Sequence, residues 1–417
     1  MEGHKLITTG ENIDKQLFKI LQKYFNNKSV AKFFKKSITP ASSVKAKSAK
    51  SILKEKKDIA YSVKTNVQTD LIITFAEGKL PLEKFVKLLL HLGDHAISTG
   101  EFSTAVYLYE KVLSKLRTHK DLEVYVADSY RSLGEIFSRQ AVWEISFSYI
   151  RRAIEIYARL GNRAGLADCE NLLGTIYGDL GNIKEAQAHF EKAFSLLSSR
   201  TGNSLLVSKI KTNLGIVNNI SGNYETALKH YKSALTYFES IKDTKRMAEV
   251  RHNLGMLYSK LHKYERAHKE FNRSISLSKK SVDLQTHGLS LIGKASLYAI
   301  QKEFSLSDDC ARKALEVCHE IKDMLSIAEV YKIQGIIQRE LCNYDNAATY
   351  LLTSLRINKE LKSQLNKAEV ELELGVLFKE IGKEVESKDY YRRALRYFKR
   401  IGDKEEVDKI KKLYQTT

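Results

Sequence analysis

A small residue that returns about every 40 positions constrains this chain more than any other feature. Leu-Gly or its equivalent stands at Gly93, Gly134, Gly174, Gly215, Gly255, Ala295, Gly335 and Gly375. The surrounding positions keep the same register. Twelve residues after each comes Ala or Ser, at Ala105, Ser146, Ala186, Ala227, Ala267, Ser307, Ala347 and Ser387. Sixteen after comes a large apolar residue in seven of the eight copies, Tyr109, Ile150, Phe190, Tyr231, Phe271, Leu351 and Tyr391, with Ala311 the exception. Nineteen after, the residue is small again in most copies, as at Ala153, Ala193, Ala234, Ala314 and Ala394. A period of this length is the signature of a stacked repeat architecture. Small residues let two helices approach closely, and large ones fill the space between.

Both prolines, Pro40 and Pro81, lie in the first 85 residues, and the sequence beyond reads as helix punctuated by single glycines. That is an all-α pattern. Short turns such as LGNI at 180–183, SGNY at 221–224, KEF at 302–304 and CNY at 342–344 separate the helices, with Gly or Asn expected in the left-handed conformation that ends a helix. Each unit is therefore read as a helical hairpin.

The Leu-Gly, Tyr, Ala, Phe and Ala pattern at these offsets resembles the tetratricopeptide-repeat family over roughly residues 86–400. The resemblance implies a right-handed α-solenoid superhelix of about eight hairpins. Two departures stand out: the family's usual proline at the end of the second helix is missing, and the period is 40 rather than 34. Together with link tags such as LGN at 160–162 and IGD at 401–403, they make the chain similar to a subgroup that includes Pins-type adaptors, rapsyn, kinesin light chains and Rap-type regulators. Three segments are expected: a basic extension at 1–85, the repeat array at 86–403, and a capping helix at 404–417, where Val407, Ile410 and Leu413 make a short amphipathic helix.

The stretch HNLGMLYSKLHKYERAHKEF, 252–271, looks like metal or acid–base chemistry, yet the register assigns most of it to packing. His252 falls on the first helix, His262 in the turn and His268 on the second helix, facing different surfaces, and HExxH is absent. No phosphate-cradling or nucleophile motif is present either. The four cysteines form no CxxC pair and read as reduced, packed thiols. No catalytic residue, cofactor, metal or small-molecule substrate is expected.

The family resemblance directs attention instead to the inner surface formed by the first helices. Asn213 and Asn253 both stand two residues before the glycine, where related repeats use an amide to bond an extended peptide backbone; an amide carries both donor and acceptor. Arg131, Asn171, Lys209, His252, Lys332 and Arg339 join them as candidate partner-binding residues, with Arg139, Thr212 and Asn219 nearby and Asp128, Asp168, Asp179, Glu249 and Glu329 interleaved. Leu289, Ile292 and Ile300 add an apolar floor. The bland alternative is that these amides bond neighbouring helices or face water.

Residues 1–69 carry 15 Lys, no Arg and 5 acidic side chains, about half of the net charge of +19. Such a segment attracts acidic partners, nucleic acid or an anionic membrane surface without specifying one. Within it, DKQLFKILQKYF at 14–25 is amphipathic and basic, suited either to a membrane or partner helix or to capping the first repeat. The Ser-, Ala- and Lys-rich stretch 33–57 reads as a linker. The function expected from the whole is a non-catalytic scaffold or adaptor that binds a peptide or helix of another protein in its concave groove. A Rap-like, peptide-responsive regulator of signalling or transcription is one alternative, and nucleic-acid binding through the basic segment another. A cytoplasmic address is expected, with cytoskeletal or ciliary association as a variant.

Overall fold

A computed structural model describes residues 15–30, 33, 69–197 and 205–415, and among these there is no β-strand. The segment read as a linker lies almost wholly outside the described residues. The chain divides into two compact units, 1–162 and 163–417.

In the first unit, α1 (Lys15–Gln22) precedes the hairpins α2 (Leu82–Ser98) with α3 (Phe102–Lys115) and α4 (Glu123–Arg139) with α5 (Trp143–Arg159). A single 3-10 turn, Lys120–Leu122, joins them. Leu21 of α1, together with Ile72, Ile73 and Ala76, enters one core with Phe85, Leu88, Leu89 and Leu108. The apolar face of α1 is thus spent on the first hairpin, with Lys19 and Lys23 left in water. Of the two roles the sequence allows for this helix, the cap is the one realised.

The second unit continues with six hairpins: α6 (Arg163–Asp179) and α7 (Ile183–Leu197), α8 (Leu205–Ile220) and α9 (Tyr224–Ser240), α10 (Thr244–Lys260) and α11 (Tyr264–Ser281), α12 (Leu284–Ile300) and α13 (Phe304–Glu320), α14 (Met324–Glu340) and α15 (Tyr344–Glu360), α16 (Gln364–Glu380) and α17 (Glu384–Ile401). A last helix, α18 (Lys404–Gln415), buries Val407 and Ile410. With the two hairpins of the first unit this makes eight among the described residues.

The turns run to a stricter rhythm than the repeat itself. From Gly222 onward a residue with positive φ falls every 20 positions, at Lys242, His262, Val282, Lys302, Lys322, Cys342, Lys362, Gly382 and Gly402. At each but Gly402, where its own N and Asp403 N both donate to Phe398 O, the helix closes by the same pair of bonds; Lys263 N donates to Tyr258 O at 2.9 Å and His262 N to Ser259 O at 3.0 Å. This is the Schellman arrangement, which needs one left-handed residue. The expectation that Gly or Asn supplies it holds at the glycine turns, Gly181 and Gly222 among them, but not in KEF, where it is Lys302, or in CNY, where it is Cys342, φ +60°, while Asn343 caps the following helix at φ −88°. Where glycine is missing, the tight closure imposes the conformation on an ordinary side chain.

The 40-residue ladder is a packing rule. A Cβ added to Gly215 would lie 2.5 Å from the Tyr231 ring, and at Gly174, Gly335 and Gly375 the residue sixteen positions on would be met at 2.6 Å. Both irregularities in the pattern belong to one copy. Where the ladder position is Ala295, the residue sixteen on is Ala311, and both are fully buried: one methyl gained on the first helix is matched by bulk lost on the second. Serines that replace alanine are satisfied too. Ser146, Ser307 and Ser387 each donate to the carbonyl of their ladder residue at 2.7 Å.

The second unit closes upon itself. Tyr397 Oη donates to Gly181 O at 2.6 Å, Gln364 N donates to Leu180 O at 3.0 Å, and Tyr224 Oη donates to Glu405 at 2.7 Å. Around these bonds one apolar cluster joins Ile183, Phe190 and Leu214 to Leu372, Tyr391, Phe398 and Ile410. The cap therefore packs into a seam between the unit's first and last hairpins, with no bare end of a stack left for it to cover.

Candidate functional site: the inner face of the second unit

Curvature decides which side chains face inward. First helices pack on first helices of the next hairpin throughout the unit, α6 on α8 through to α14 on α16, so they occupy the smaller radius. Side chains three and six residues before each ladder position form stripes on this inner face, as helical spacing requires. Three before are Asn171, Thr212, His252, Ile292, Lys332 and Leu372; six before are Asp168, Lys209, Glu249, Leu289, Glu329 and Glu369.

The amides meet at one end. Asn213 Nδ2 donates to Asn171 Oδ1 at 2.9 Å, linking α10's predecessor α8 back to α6. Asn171 keeps its own NH2 group, and Asn213 its carbonyl oxygen, for another partner. Thr212 bonds Ser208 O in its own helix at 3.0 Å. Asn253 and Lys209 stand part-exposed with no side-chain hydrogen bond or ion pair among the described residues. His252 packs on Phe271, with ring centroids 5.8 Å apart, and its buried Nδ1 has no hydrogen-bond partner. Burial pushes its pKa down to about 4, so the ring is neutral at physiological pH. The other two histidines of the stretch part company: His262 Nδ1 meets Tyr264 Oη at 2.9 Å, and His268 Nε2 meets Gln301 Oε1 at 2.7 Å.

The two cations at the other end are already engaged. Lys332 Nζ lies 2.8 Å from Glu329 and 2.5 Å from Glu369. Burial alone would lower the lysine pKa, but the two carboxylates outweigh it and hold the ammonium above the ordinary lysine value. Arg339 bonds Glu373 at 2.5 Å and Glu340 at 3.0 Å. Glu369 and Glu373 were not singled out in the sequence, although Glu369 stands in the same register as Glu329. Arg131 belongs to the first unit, where it bonds Glu135 at 3.1 Å and Ser132 at 3.0 Å. Of the candidate residues, then, the structure brings Asn171 and Asn213 together and surrounds Lys332 and Arg339 with glutamates.

Asp179, the last residue of α6, keeps contact with water yet is walled round by protein across the closed unit. This enclosure first, and the Asp323 charge second, raise its pKa to about 7. Asp323 is itself fixed as the cap of α14, accepting from Ser326 N at 3.1 Å and Ser326 Oγ at 2.7 Å. Glu249 is raised as well, by burial that the nearby Lys245 and Arg246 only partly offset. Apart from Leu289, Ile292 and Leu372, the inner-face stripes are polar, and Glu249 and His252 among them have shifted pKa values.

Residues 125–199 and 206–280 match the tetratricopeptide repeat family model. Regulatory protein RapF of Bacillus subtilis (strain 168) is 25% identical over 193 residues, 46% of this chain and 50% of RapF. Transcriptional activator NprA of Geobacillus stearothermophilus is 23% identical over 252 residues, 58% of this chain and 59% of NprA. The chain therefore spans between half and three fifths of these curated relatives. Among solved structures, a Rap protein complexed with competence and sporulation factor superposes with a TM-score of 0.59 at 14% identity, covering 78% of this chain and 99% of that one. Aspartyl phosphate phosphatase F from Bacillus subtilis gives 0.53 at 16% identity, covering 85% and 97%. At these identities the likeness is one of fold. Over residues 125–199 and 206–280 the family match, the 40-residue ladder and the paired helices agree on tetratricopeptide repeats, and the same ladder and helix pairing continue on either side of them.

Proposed function

We propose that this protein is a non-catalytic adaptor that holds a peptide or helical segment of another protein on the inner face of its second unit. The observation that carries the reading is the Asn171–Asn213 amide pair, whose bond uses one donor and one acceptor and leaves the NH2 group of Asn171 and the carbonyl oxygen of Asn213. A backbone peptide group needs that combination, one acceptor for its N–H and one donor for its C=O. Asn253, one hairpin further on, extends the track. Lys332 and Arg339 act as parts of ion-paired clusters, so a ligand meets them as balanced polar surface rather than as free positive charge.

Partners captured by the intact chain, and then recaptured by a chain carrying Asn213→Ala and Asn253→Ala, test this. Loss of capture with unchanged folding is expected. Equal capture by the double variant removes the amides from the site.

The likeness to RapF and NprA, and the closure of the second unit, favour a more specific form of the same idea, a peptide-responsive regulator of signalling or transcription. Small-angle scattering separates the two. A regulator changes its radius of gyration when its peptide binds, and a static scaffold does not. Both readings propose a cytoplasmic protein, like the expectation from sequence. Among the described residues no helix is long and apolar enough to cross a membrane.

A further inference from the structure

The first unit carries a cleft that the adaptor reading does not use. Between the end of α3, the 3-10 turn and the start of α4, and backed by α5, lies a hollow of about 540 Å³. Three cations reach it, Arg117, Lys120 and Arg152, all exposed and none ion-paired among the described residues. Opposite them stand Glu110, also unpaired, and Glu123, which Arg159 neutralises at 2.9 Å. The local balance of this hollow is positive.

The back wall is aromatic. Tyr149 stacks on Phe137 with ring centroids 5.6 Å apart and lies 6.0 Å from Tyr130. The Arg152 guanidinium sits 5.6 Å from the Tyr130 ring and 6.0 Å from Tyr149, so it is held against the aromatic wall while its N–H groups remain available. Beyond Arg152 a second hollow of about 290 Å³ opens, sharing Tyr149 and Arg152 and edged by Ile145, a 43% exposed isoleucine. A lone phosphate or a nucleotide fills one hollow. Two hollows that adjoin over a cationic and aromatic sill, the second edged by Glu144 and the exposed Ile145, suit an extended chain.

We infer that this cleft is a second protein-binding site, which takes an extended acidic segment of a partner, its carboxylates on Arg117, Lys120 and Arg152 and an apolar side chain beside Ile145. Arginine offers a carboxylate a two-pronged contact, and the fixed Arg152 makes it without ordering a free side chain. The site is separate from the inner face of the second unit, so it stands or falls independently of the adaptor reading.

The test uses the full chain and a fluorescein-labelled peptide, Asp-Glu-Leu-Asp-Glu-Phe-Asp-Glu, with its Asn/Gln counterpart as control. Fluorescence anisotropy at about 0.05 and 0.3 M salt is expected to show salt-sensitive binding of the acidic peptide alone. A variant with Arg117, Lys120 and Arg152 all changed to Ala binds at least roughly tenfold more weakly, with unchanged circular dichroism, because none of the three supports the core. Ile145→Ser weakens this peptide but not an all-acidic one lacking Leu and Phe. Asn213→Ala with Asn253→Ala leaves the affinity where it was. Undiminished binding by the triple variant overturns the proposal and moves the affinity to the lysines of 1–69. Binding of ATP that the triple variant abolishes, without binding of the peptide, overturns it in favour of a small anion.

Discussion

The hydroxyl of Tyr397 donates a hydrogen bond to the carbonyl of Gly181, 216 residues earlier in the chain, and the bond is 2.6 Å long and buried. It marks the seam at which the last hairpin of the second unit meets the first. Gly181 serves the seam twice. Its φ of +75° forms the turn after α6, and a Cβ there would lie 2.3 Å from Leu365 N across the seam.

The seam is therefore open to a graded test. Tyr397→Phe removes one buried bond while keeping the ring and lowers stability by about 1 kcal/mol. Gly181→Ala adds a left-handed penalty and a clash with backbone, and costs at least about 2 kcal/mol. Urea unfolding of both variants measures the order. An alanine variant as stable as the wild type would mean that the two hairpins do not touch in solution.

At the turns, strain is predicted to be removable. Val282 is β-branched, 81% exposed and held at φ +55°. A side chain of this shape is rare there, and the exposed valine gains nothing from burial. Val282→Gly should raise stability by about 1 kcal/mol, read as an upward shift in the unfolding midpoint at unchanged m-value.

The Ala295 and Ala311 pair predicts coupling elsewhere in the ladder. Gly335→Ala drives a methyl against Leu351, whose Cγ lies 2.6 Å from the ideal Cβ, and costs about 1–3 kcal/mol. Leu351→Ala alone leaves a cavity at a cost of about 2–5 kcal/mol. Together the two changes place alanine at both positions, as Ala295 and Ala311 already do naturally, and the double variant should be more stable than the sum of the single losses implies.

Two inner-face groups give pH dependences of opposite sign. The folded pKa of Asp179 is raised to about 7 from an ordinary 3.8, so the fold binds its proton more tightly than the unfolded chain does. Its contribution is greatest below about pH 4 and fades as pH rises toward 7. Asp179→Asn should then stabilise the protein at pH 8 and have less effect at pH 5. His252 is lowered to about 4 from 6.5, so its charging opposes folding progressively as pH falls from 6.5 to 4. His252→Gln should flatten that acid limb. Unfolding curves of the two variants from pH 4 to 8 check both slopes.

The local rules of this fold were legible in the sequence, because each involves residues within one 40-residue unit. Gly174 with Phe190 and Gly215 with Tyr231 are sixteen apart, and helix geometry alone brings them together. The three histidines of 252–271 separated onto different surfaces for the same reason. The seam was not legible. Leu180 and Gln364, or Tyr224 and Glu405, meet only after the small rotation per hairpin has summed over the unit, and no local pattern encodes that sum. The candidate site sits between these cases. Register placed Lys332 on the inner face, but that Glu369 from the next hairpin would occupy it depended on side-chain geometry between hairpins.

A stack with two bare ends can lengthen or shorten by whole hairpins, and its descendants differ in number. The bond from Tyr397 to Gly181 removes that freedom between α6 and α17: one hairpin gained or lost would carry the two partners past each other. Change in this part of the molecule is therefore confined to substitution within six fixed hairpins, while variation in repeat number is left to residues outside the seam.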